Sequence, residues 1–386
     1  MPSILYIGQN PTEGTGSPII LLRHLRRFAS DGWAVRLIAE FGENYAACRA
    51  AGWTIIELPR RKVWWPPYRD CIPFLRKLRM RLLAREIIKS QEKPPDVILS
   101  YLASHTEFYS DLAASYTRLS GRPLHVLVHD DAAAFPRAKN CARALRRRQN
   151  AALAPASVAW FVSPELAEEY IPIDSPRRRV ILPIPDGQAK IAEWNGERTL
   201  LRIYYAGHIW PEQIPLLEEC ATAISKAGGK LIVLAKPCLL LEAASKRKLI
   251  EIMPLFQRNT EALEHLRRHA SAVLVSYAND TLSMPWSITS FPSKLIEFAH
   301  LGVPIAIVAP IDTSVQRWTI RIGFKPTFLP KEMHALQIWI AALRFERCWK
   351  ERSIAALNIA HRHADPANIH KEIDIALRAD ISPART

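Results

Sequence analysis

The sequence has no apolar run that approaches the ~18–20 residues needed to span a bilayer, which excludes an ordinary transmembrane helix. No basic region precedes the first apolar stretch, so we expect the N-terminus to form a strand rather than a signal peptide. Cysteine is scarce and lacks paired spacing, which predicts buried thiols and neither a zinc site nor a disulfide framework. The six cysteines are Cys48, Cys71, Cys141, Cys220, Cys238 and Cys348.

Acidic side chains are few relative to basic ones: 37 against 52, a formal net charge of +15 over 386 residues. The hydrophobic share of 49% favours a globular enzyme or binding protein over a disordered chain. The length is sufficient for two domains of common size, each with its own core. The unpaired cysteines predict a cytoplasmic protein.

The basic charge is concentrated in residues 60–89, where ten basic residues face two acidic ones. This segment also carries Trp64, Trp65 and Tyr68, and basic residues interleaved with aromatics suit an anionic membrane surface. A nucleic-acid footprint would also be basic, but tandem tryptophans with prolines suit a groove-reading helix poorly. We expect peripheral contact with the inner face of a membrane and no nucleic acid. A solvated face of a basic protein remains the alternative.

Short strands alternate with helices along the chain, which predicts parallel sheets covered on both faces. We place front-half strands at 3–7, 34–39, 53–58, 96–100, 124–128 and 158–162, with helices at 18–29 and 107–119. A proline-rich stretch at 174–199 reads as a linker. Later strands are expected at 201–205, 230–234, 250–254, 272–276 and 303–308.

The predicted fold class is therefore α/β, with two doubly wound Rossmann-like domains facing a cleft. The first domain covers residues 1–187, and the second covers residues 188–367. A C-terminal helix and tail at 368–386 could pack back on the first domain.

The segment Ser290–Val308 contains the most informative local pattern. It predicts a helix at 293–301, a stop at Gly302 and a buried strand at 303–308. Ser293 could cap this helix, and Lys294 in the first turn opposes the positive helix end unless an anion is bound there. Glu297 lies one turn further on, where a carboxylate could accept from a sugar diol. An ordinary αβ unit with a capping serine is the alternative.

Several short motifs, in order along the chain, resemble those of GT-B-fold glycosyltransferases of the retaining family-four-like group. The most specific is Phe291–Glu297 followed by Gly302–Pro304. The others are Gly14–Ser17 before the first helix, Pro95–Leu99, His129–Asp130, Val162–Leu166 and Tyr205–His208.

This resemblance implies a retaining, metal-independent transferase that needs no cofactor. It would move a sugar from a nucleotide-sugar donor to a glycan or lipid-linked acceptor in bacterial surface-polysaccharide or glycoconjugate synthesis. Two alternatives remain open: a nucleotide-sugar epimerase of the same fold, and a non-catalytic partner protein that has kept the architecture.

The resemblance also implies site residues, and no metal ligand is among them. His129 and Asp130 would be catalytic, with the histidine positioning the transferred sugar. The alternatives are that a backbone carbonyl satisfies His129 and that Asp130 and Asp131 cap the following helix. The first domain would bind the acceptor, through Gly14, Thr15, Gly16 and Ser17, and the second domain would bind the nucleotide-sugar. Donor binding would involve Gly207, His208, Lys236, Arg258, Ser293, Lys294, Leu295 and Glu297.

The chain departs from the family pattern at three positions. Thr289 stands where an acidic residue is expected, and His208 and Gln213 stand where two phosphate-binding cations are expected. Lys294, Lys236 and Arg258 could substitute for them, with Lys294 carrying an unusually large share of donor binding. The other readings are that the donor binds differently, or that transfer activity is weak or absent.

Overall fold

The computed structural model describes residues 1–13, 16–39, 45–58, 72–102, 107–135, 141–187, 189–194, 200–236, 238–247 and 250–381. The predictions made for Gly14, Thr15, Trp64, Trp65, Tyr68 and Cys71 lie outside these residues. The chain divides into two compact units, which we call unit 1 (residues 1–182 and 367–386) and unit 2 (residues 183–366). Their border falls inside the proline-rich stretch.

Unit 1 is built on a seven-stranded sheet in which every pair of neighbouring strands is parallel. The strands are β1 (Ser3–Ile7), β2 (Ala34–Ala39), β3 (Thr54–Glu57), β4 (Val97–Leu102), β5 (Leu124–Val128), β6 (Val158–Phe161) and β7 (Arg178–Val180), in the spatial order β3-β2-β1-β4-β5-β6-β7. All residues of β1, β4 and β5 are buried, as expected for a sheet covered on both faces. β7 was not predicted; it lies within the expected linker.

Helices connect these strands: α1 (Ser17–Ser30), α2 (Ala46–Ala50), α3 (Pro73–Ser90), α4 (Glu107–Ser120), α5 (Ala142–Leu153) and α6 (Pro164–Glu168). In α3, Met80, Ala84 and Ile87 are buried against unit 1, whereas Phe74 and Leu78 on another face are exposed. Within the described part of the chain, no helix is both long and apolar enough to cross a bilayer.

Unit 2 repeats the design with six parallel strands in the order β10-β9-β8-β11-β12-β13. They are β8 (Leu201–Ala206), β9 (Gly229–Leu234), β10 (Ile250–Met253), β11 (Ala272–Ser276), β12 (Ile305–Val308) and β13 (Thr327–Phe328). The helices are α7 (Ile214–Lys226), α8 (Leu239–Lys246), α9 (Asn259–His269), α10 (Ser293–Ala299), α11 (Ser314–Ile322), α12 (Met333–Ala341) and α13 (Glu346–His363). The two sheets confirm the predicted pair of doubly wound Rossmann-like domains.

The last helix, α14 (Pro366–Ile381), belongs to unit 1 although the chain reaches it through unit 2. Trp33 donates its indole N–H to Asp374 Oδ1 at 2.7 Å. The buried His125 contacts Asp380 Oδ2 through Nε2 at 3.0 Å. Arg378 lies over the Trp33 ring at 5.1 Å. These contacts fix the C-terminal helix to the first sheet.

The cysteines correct one expectation. Cys48 and Cys220 are buried thiols, but Cys141 and Cys238 are exposed. Each exposed cysteine directly precedes a helix, α5 or α8, at a surface turn.

Candidate functional site

The predicted donor-binding residues of unit 2 gather at the carboxyl ends of its strands. Gly207 and His208 directly follow β8, Lys236 follows β9, and Arg258 lies between β10 and α9. In the strand order, β8 and β11 flank the point where the sheet changes direction. Ligands of open α/β sheets bind beyond the carboxyl ends at such a point.

Gly207 and Lys294 approach each other closely at this edge. A Cβ atom on Gly207 would lie 3.2 Å from both Cε and Nζ of Lys294. Gly207 also has a φ angle of 151°, which side-chain-bearing residues rarely adopt. Glycine at this position therefore lets the lysine side chain rest on the end of β8.

The Lys294 ammonium is half-buried and makes no hydrogen bond or ion pair with any described residue. Burial lowers its pKa to about 8, and the nearby Glu297 acts in the opposite direction. The backbone N–H groups of Ser293 and Lys294 also have no partner among the described residues. A cation and two free donors thus meet at the start of α10, which suits an anionic ligand.

Two predictions about α10 need correction. Ser293 does not cap the helix: it is the first helical residue, the preceding Pro292 has no side chain that could cap, and no side-chain cap bond forms. The helix ends at Ala299 rather than at 301. Leu295 is fully buried and its N–H donates to the Pro292 carbonyl at 2.9 Å, so this residue packs the core. The glycine stop is found, with Gly302 at a φ angle of 67°.

Glu297 lies on α10 one turn beyond Ser293 and is 9% exposed. Its Oε1 accepts from Asn259 Nδ2 at 3.2 Å, which connects α10 with the start of α9. Arg258 is the residue just before α9 and is exposed. Glu297 and Arg258 are thus held in the same neighbourhood through Asn259.

Gln213, which stands in place of an expected cation, is a structural residue. It is 3% exposed, and its Nε2 donates to the Ser276 carbonyl at 2.8 Å. Its Oε1 accepts from the Trp210 N–H at 2.9 Å. The side-chain amide therefore joins the segment after β8 to the end of β11.

His208 replaces the second expected cation and is exposed. Its ring meets Trp210 edge to face with centroids 4.8 Å apart. Partial burial and then the charge of Lys236 lower the pKa of His208, so it is mainly neutral at pH 7. Thr289 is buried, and its hydroxyl donates to the Trp286 carbonyl at 3.4 Å. None of the three departures supplies a permanent charge.

In unit 1, His129 directly follows β5 and is 9% exposed. Its ring meets Tyr101 at the end of β4, edge to face, with centroids 5.0 Å apart. Burial lowers its pKa to about 4, which keeps the imidazole neutral at pH 7. Neither ring nitrogen bonds to another described residue, so no backbone carbonyl satisfies it.

The two aspartates after His129 have different surroundings. Asp131 is 2% exposed and accepts from Ala133 N–H at 2.9 Å, which caps the short 3₁₀ turn Ala132–Ala134. Asp131 also accepts from the Tyr170 hydroxyl at 2.6 Å. Asp130 is half-buried, and its charge adds to burial in raising the pKa of Tyr101 well above its usual range. Asp131 thus has the capping role, while Asp130 stays beside Tyr101.

The described part of the predicted acceptor loop reaches the same cluster. Gly16 directly precedes α1 with a φ angle of 79°, and Ser17 is the first residue of α1. The Ser17 side chain contacts Tyr101 and partly offsets the rise in its pKa. Tyr101 therefore lies between Ser17 and His129. Sequence reasoning missed it, although the signal was available in the tyrosine near the end of an apolar strand.

The described residues contain no group of three or more His, Cys, Asp or Glu side chains arranged to hold a metal ion.

No family model matches the sequence, and no curated protein matches it. The structure is similar to HepE of Anabaena in complex with UDP and glucose, at 14% identity and a TM-score of 0.66, over 97% of this chain and 99% of that chain. It is similar to WaaB, a lipopolysaccharide outer core galactosyltransferase in its apo form, at 12% identity and a TM-score of 0.66, over 98% and 99%. It is also similar to a UDP-forming α,α-trehalose-phosphate synthase from Burkholderia vietnamiensis, at 11% identity and a TM-score of 0.63, over 100% and 99%. These likenesses, with the two parallel sheets, show the GT-B fold.

Proposed function

We propose that this protein is a glycosyltransferase that takes a sugar from a nucleotide-sugar donor, with a uridine diphosphate leaving group. The observation that carries the proposal is Lys294, a half-buried ammonium that forms no ion pair with a described residue and rests on Gly207 beyond β8. Holding a desolvated cation there costs free energy, which a bound diphosphate would offset. The complexes of HepE with UDP and with UDP-glucose, and the UDP-forming activity in the name of the trehalose-phosphate synthase, support this choice of donor.

In the proposed reaction, the bond between the anomeric carbon and the donor diphosphate breaks, an acceptor hydroxyl forms a new bond to that carbon, and its proton passes to the departing diphosphate. Negative charge then grows on the leaving oxygen, where the Lys294 ammonium and the N–H groups of Ser293 and Lys294 can stabilise it. Lys236 and Arg258 are exposed cations that could reach the outer phosphate oxygens. Glu297 would accept hydrogen bonds from the ribose hydroxyls. No metal or cofactor has a part in this proposal.

In unit 1, His129 would contact the transferred sugar. A neutral imidazole can accept from one sugar hydroxyl and donate to another, and burial keeps it neutral. Asp130 would add negative charge near the developing oxocarbenium ion, as in other glycosyl transfers. Ser17 and the rest of the Gly14–Ser17 loop would face the acceptor. Retention of anomeric configuration is part of the proposal and follows the family resemblance.

The acceptor would be a glycan or a lipid-linked sugar in bacterial surface-polysaccharide or glycoconjugate synthesis, and the enzyme would act at the inner face of the membrane. The exposed face of α3 supports this. Phe74, Leu78 and Leu82 are 73%, 39% and 39% exposed and are spaced four residues apart, which places them in one stripe. Lys77 and Arg81 are exposed beside the stripe. Apolar side chains bordered by cations suit an anionic lipid surface.

Calorimetry with UDP tests the donor site. We expect Lys294→Ala to weaken UDP binding by about 1.5–3 kcal/mol, the contribution of a charge-assisted hydrogen bond. Lys331→Ala removes an exposed lysine elsewhere in unit 2 and should leave UDP affinity unchanged. Glu297→Gln should weaken binding of uridine as well as of UDP. Equal UDP affinity in Lys294→Ala and the parent would show that the donor phosphates bind elsewhere.

A non-catalytic partner protein is the second candidate. It is favoured by Gln213, which stands where a phosphate-binding cation was expected and instead forms structural hydrogen bonds. An epimerase of the same fold is the third. Incubation with UDP-sugars and candidate acceptors separates them, because a transferase releases UDP in step with a new glycoside. An epimerase yields an isomeric UDP-sugar without acceptor, and a partner protein binds UDP without turnover.

A further inference from the structure

A cavity of about 410 Å³ opens beside α5 in unit 1, and the proposed donor site does not use it. Its volume falls in the ~300–1,000 Å³ range of small-molecule sites. Ala133, which lines it, belongs to the 3₁₀ turn Ala132–Ala134 that follows β5 along the chain. The lining residues are Ala133, Ala142, Arg143, Arg146, Arg147 and Asn150.

The sequence of α5 explains why three arginines meet at this cavity. Arg143 lies three residues before Arg146 and four before Arg147, and Asn150 follows these two by four and three residues; residues at such spacings are neighbours on a helix surface. The remaining lining residues are alanines, which leave the space open. The result is a concave site with basic walls and small apolar patches.

The Arg146 side chain has a structural role, because it is held by other side chains of unit 1. Its guanidinium pairs with both Asp131 and Glu169 and lies over the Tyr170 ring at 5.6 Å. The Tyr170 hydroxyl in turn donates to Asp131. The two carboxylates of this cluster are therefore engaged by Arg146 and are held away from the other two arginines.

Arg143 and Arg147 are exposed, and neither forms an ion pair or hydrogen bond with another described residue. Like charges four residues apart on a helix destabilise it, and a shared anion removes that cost. The guanidinium fork matches a phosphate group, which can accept two parallel hydrogen bonds from it. Two such forks on one cavity wall match a phosphomonoester or a diphosphate.

We propose that the α5 cavity binds a phosphate group carried by the acceptor. Assignment of this phosphate to the acceptor rests on the proposed function, because the cavity lies in unit 1, in the part of the chain that follows β5, whereas the donor residues lie in unit 2. Phosphate recognition itself rests only on Arg143, Arg147 and the cavity. The phosphate could belong to a phosphorylated sugar in solution or to a lipid headgroup, and both present the same chemistry.

The test measures binding of inorganic pyrophosphate to the full chain by calorimetry, with saturating UDP present to occupy the donor site. The Arg143→Gln/Arg147→Gln variant should bind pyrophosphate roughly 10- to 100-fold more weakly, because two charge-assisted contacts are lost. Its UDP affinity should equal that of the parent. Both arginines are exposed, so the substitutions leave the core intact.

The matched control, Lys93→Gln/Arg179→Gln, removes two exposed charges from the same unit away from the cavity. It should retain the pyrophosphate affinity of the parent. If the two double variants lose pyrophosphate binding equally, or if neither loses it, the cavity is a solvated basic face and the proposal is overturned. Failure of the parent to bind UDP would count against the proposed function. The two double variants could still be compared by their pyrophosphate affinities, so the two proposals can fail separately.

Vesicles identify the source of the phosphate. Phosphatidylcholine vesicles carrying phosphatidic acid present a phosphomonoester, and vesicles with phosphatidylglycerol present only a phosphodiester. A lipid-borne phosphate predicts tighter binding to phosphatidic acid, which pyrophosphate and the Arg143→Gln/Arg147→Gln variant both abolish. A soluble phosphorylated sugar predicts pyrophosphate binding with no preference between the vesicles. Either outcome supports the site. It is contradicted if the protein neither binds pyrophosphate nor prefers the vesicles that carry phosphatidic acid.

Discussion

Lys294 shows how a single side chain can be prepared for a ligand. Its stem rests against Gly207, and burial moves its pKa down to about 8 although Glu297 favours the charged form. A lysine with an internal ion pair would have kept its proton more firmly. The chain thus holds a cation whose charge is most fully satisfied by something outside the protein.

This pKa predicts a specific pH dependence of UDP binding. The ammonium is lost as pH rises through about 8, whereas the terminal phosphate of UDP is fully charged above about pH 7. Affinity in the parent should therefore fall between about pH 7 and about pH 9.5. Lys294→Arg keeps its charge over this range, so its affinity should stay flat. The same slope in both proteins would mean that another group titrates.

His129 gives a second prediction at this scale. Because it is placed in unit 1 and faces no donor phosphate in the proposal, His129→Ala should bind UDP as the parent does. Turnover should fall by about 100-fold or more, the scale for a lost group at the reacting centre. The check is the split between kcat and UDP affinity. His334→Ala, an exposed histidine on α12, is the control. Parallel loss of UDP affinity and kcat would contradict the assigned role.

Among the elements, buried strands were the easiest to predict. β1, β4 and β5 are short runs rich in β-branched or apolar residues, and burial on both faces demands such runs. β7 could not be predicted, because Arg178–Val180 is three residues long, carries two arginines and lies in a proline-rich stretch. Its strand character comes from pairing with β6, a tertiary contact that leaves no local pattern.

The same limit applies to the candidate site. The spacing of Lys294 and Glu297 on one helix was visible in the sequence, because local periodicity sets it. The contact between Lys294 and Gly207 spans many residues and depends on how β8 and α10 pack. The conversion of Gln213 to a structural amide was hidden for the same reason. Ser293 was misassigned as a cap by one position, and helix ends are defined by geometry that sequence fixes only loosely.

The contacts of α3 show which of its basic residues are available to bind a membrane. Arg76 pairs with Asp111, and Arg79 lies over the Phe108 ring at 5.2 Å, so both arginines are partly committed to the fold. Lys77, Arg81 and Arg85 are exposed. These three are the residues to replace, because their loss should leave the packing of α3 on α4 unchanged.

We expect Lys77→Gln/Arg81→Gln/Arg85→Gln to weaken the free energy of binding to anionic vesicles by roughly 3 kcal/mol, at ~1 kcal/mol for each cation near the surface. Sedimentation with the vesicles measures this binding. The difference should shrink at high salt because ions screen exposed charges. The control replaces Lys226, Lys325 and Lys331, three exposed lysines of unit 2, by glutamine. Equal vesicle binding by the two triple variants would show that α3 is not the contact surface.

At the scale of the whole molecule, the first unit contains both ends of the chain. The N-terminal part of the chain forms the first sheet, the middle part forms the second, and the C-terminal helix α14 packs in the first unit. Ile369, Ile373 and Leu377, at four-residue spacing, are the buried face of α14. Asp374 and Asp380 add polar contacts with Trp33 and His125. The last residues in sequence are therefore part of the stability of the first unit.

This topology predicts where a change in α14 is felt. Ile373 is fully buried, and Ile373→Ala should lower the free energy of unfolding of unit 1 by about 2–5 kcal/mol, the usual cost of such a truncation. Hydrogen exchange should quicken in β1 and β4 and stay unchanged in β8 and β11, because α14 packs in unit 1. Ile375 is 56% exposed on the same helix, so Ile375→Ala should cost less than about 0.5 kcal/mol. Faster exchange confined to unit 2 strands would place the helix with the second sheet instead. A change limited to the strands of unit 1 would show that α14, the last helix of the chain, stabilises the unit that contains the N-terminal sheet.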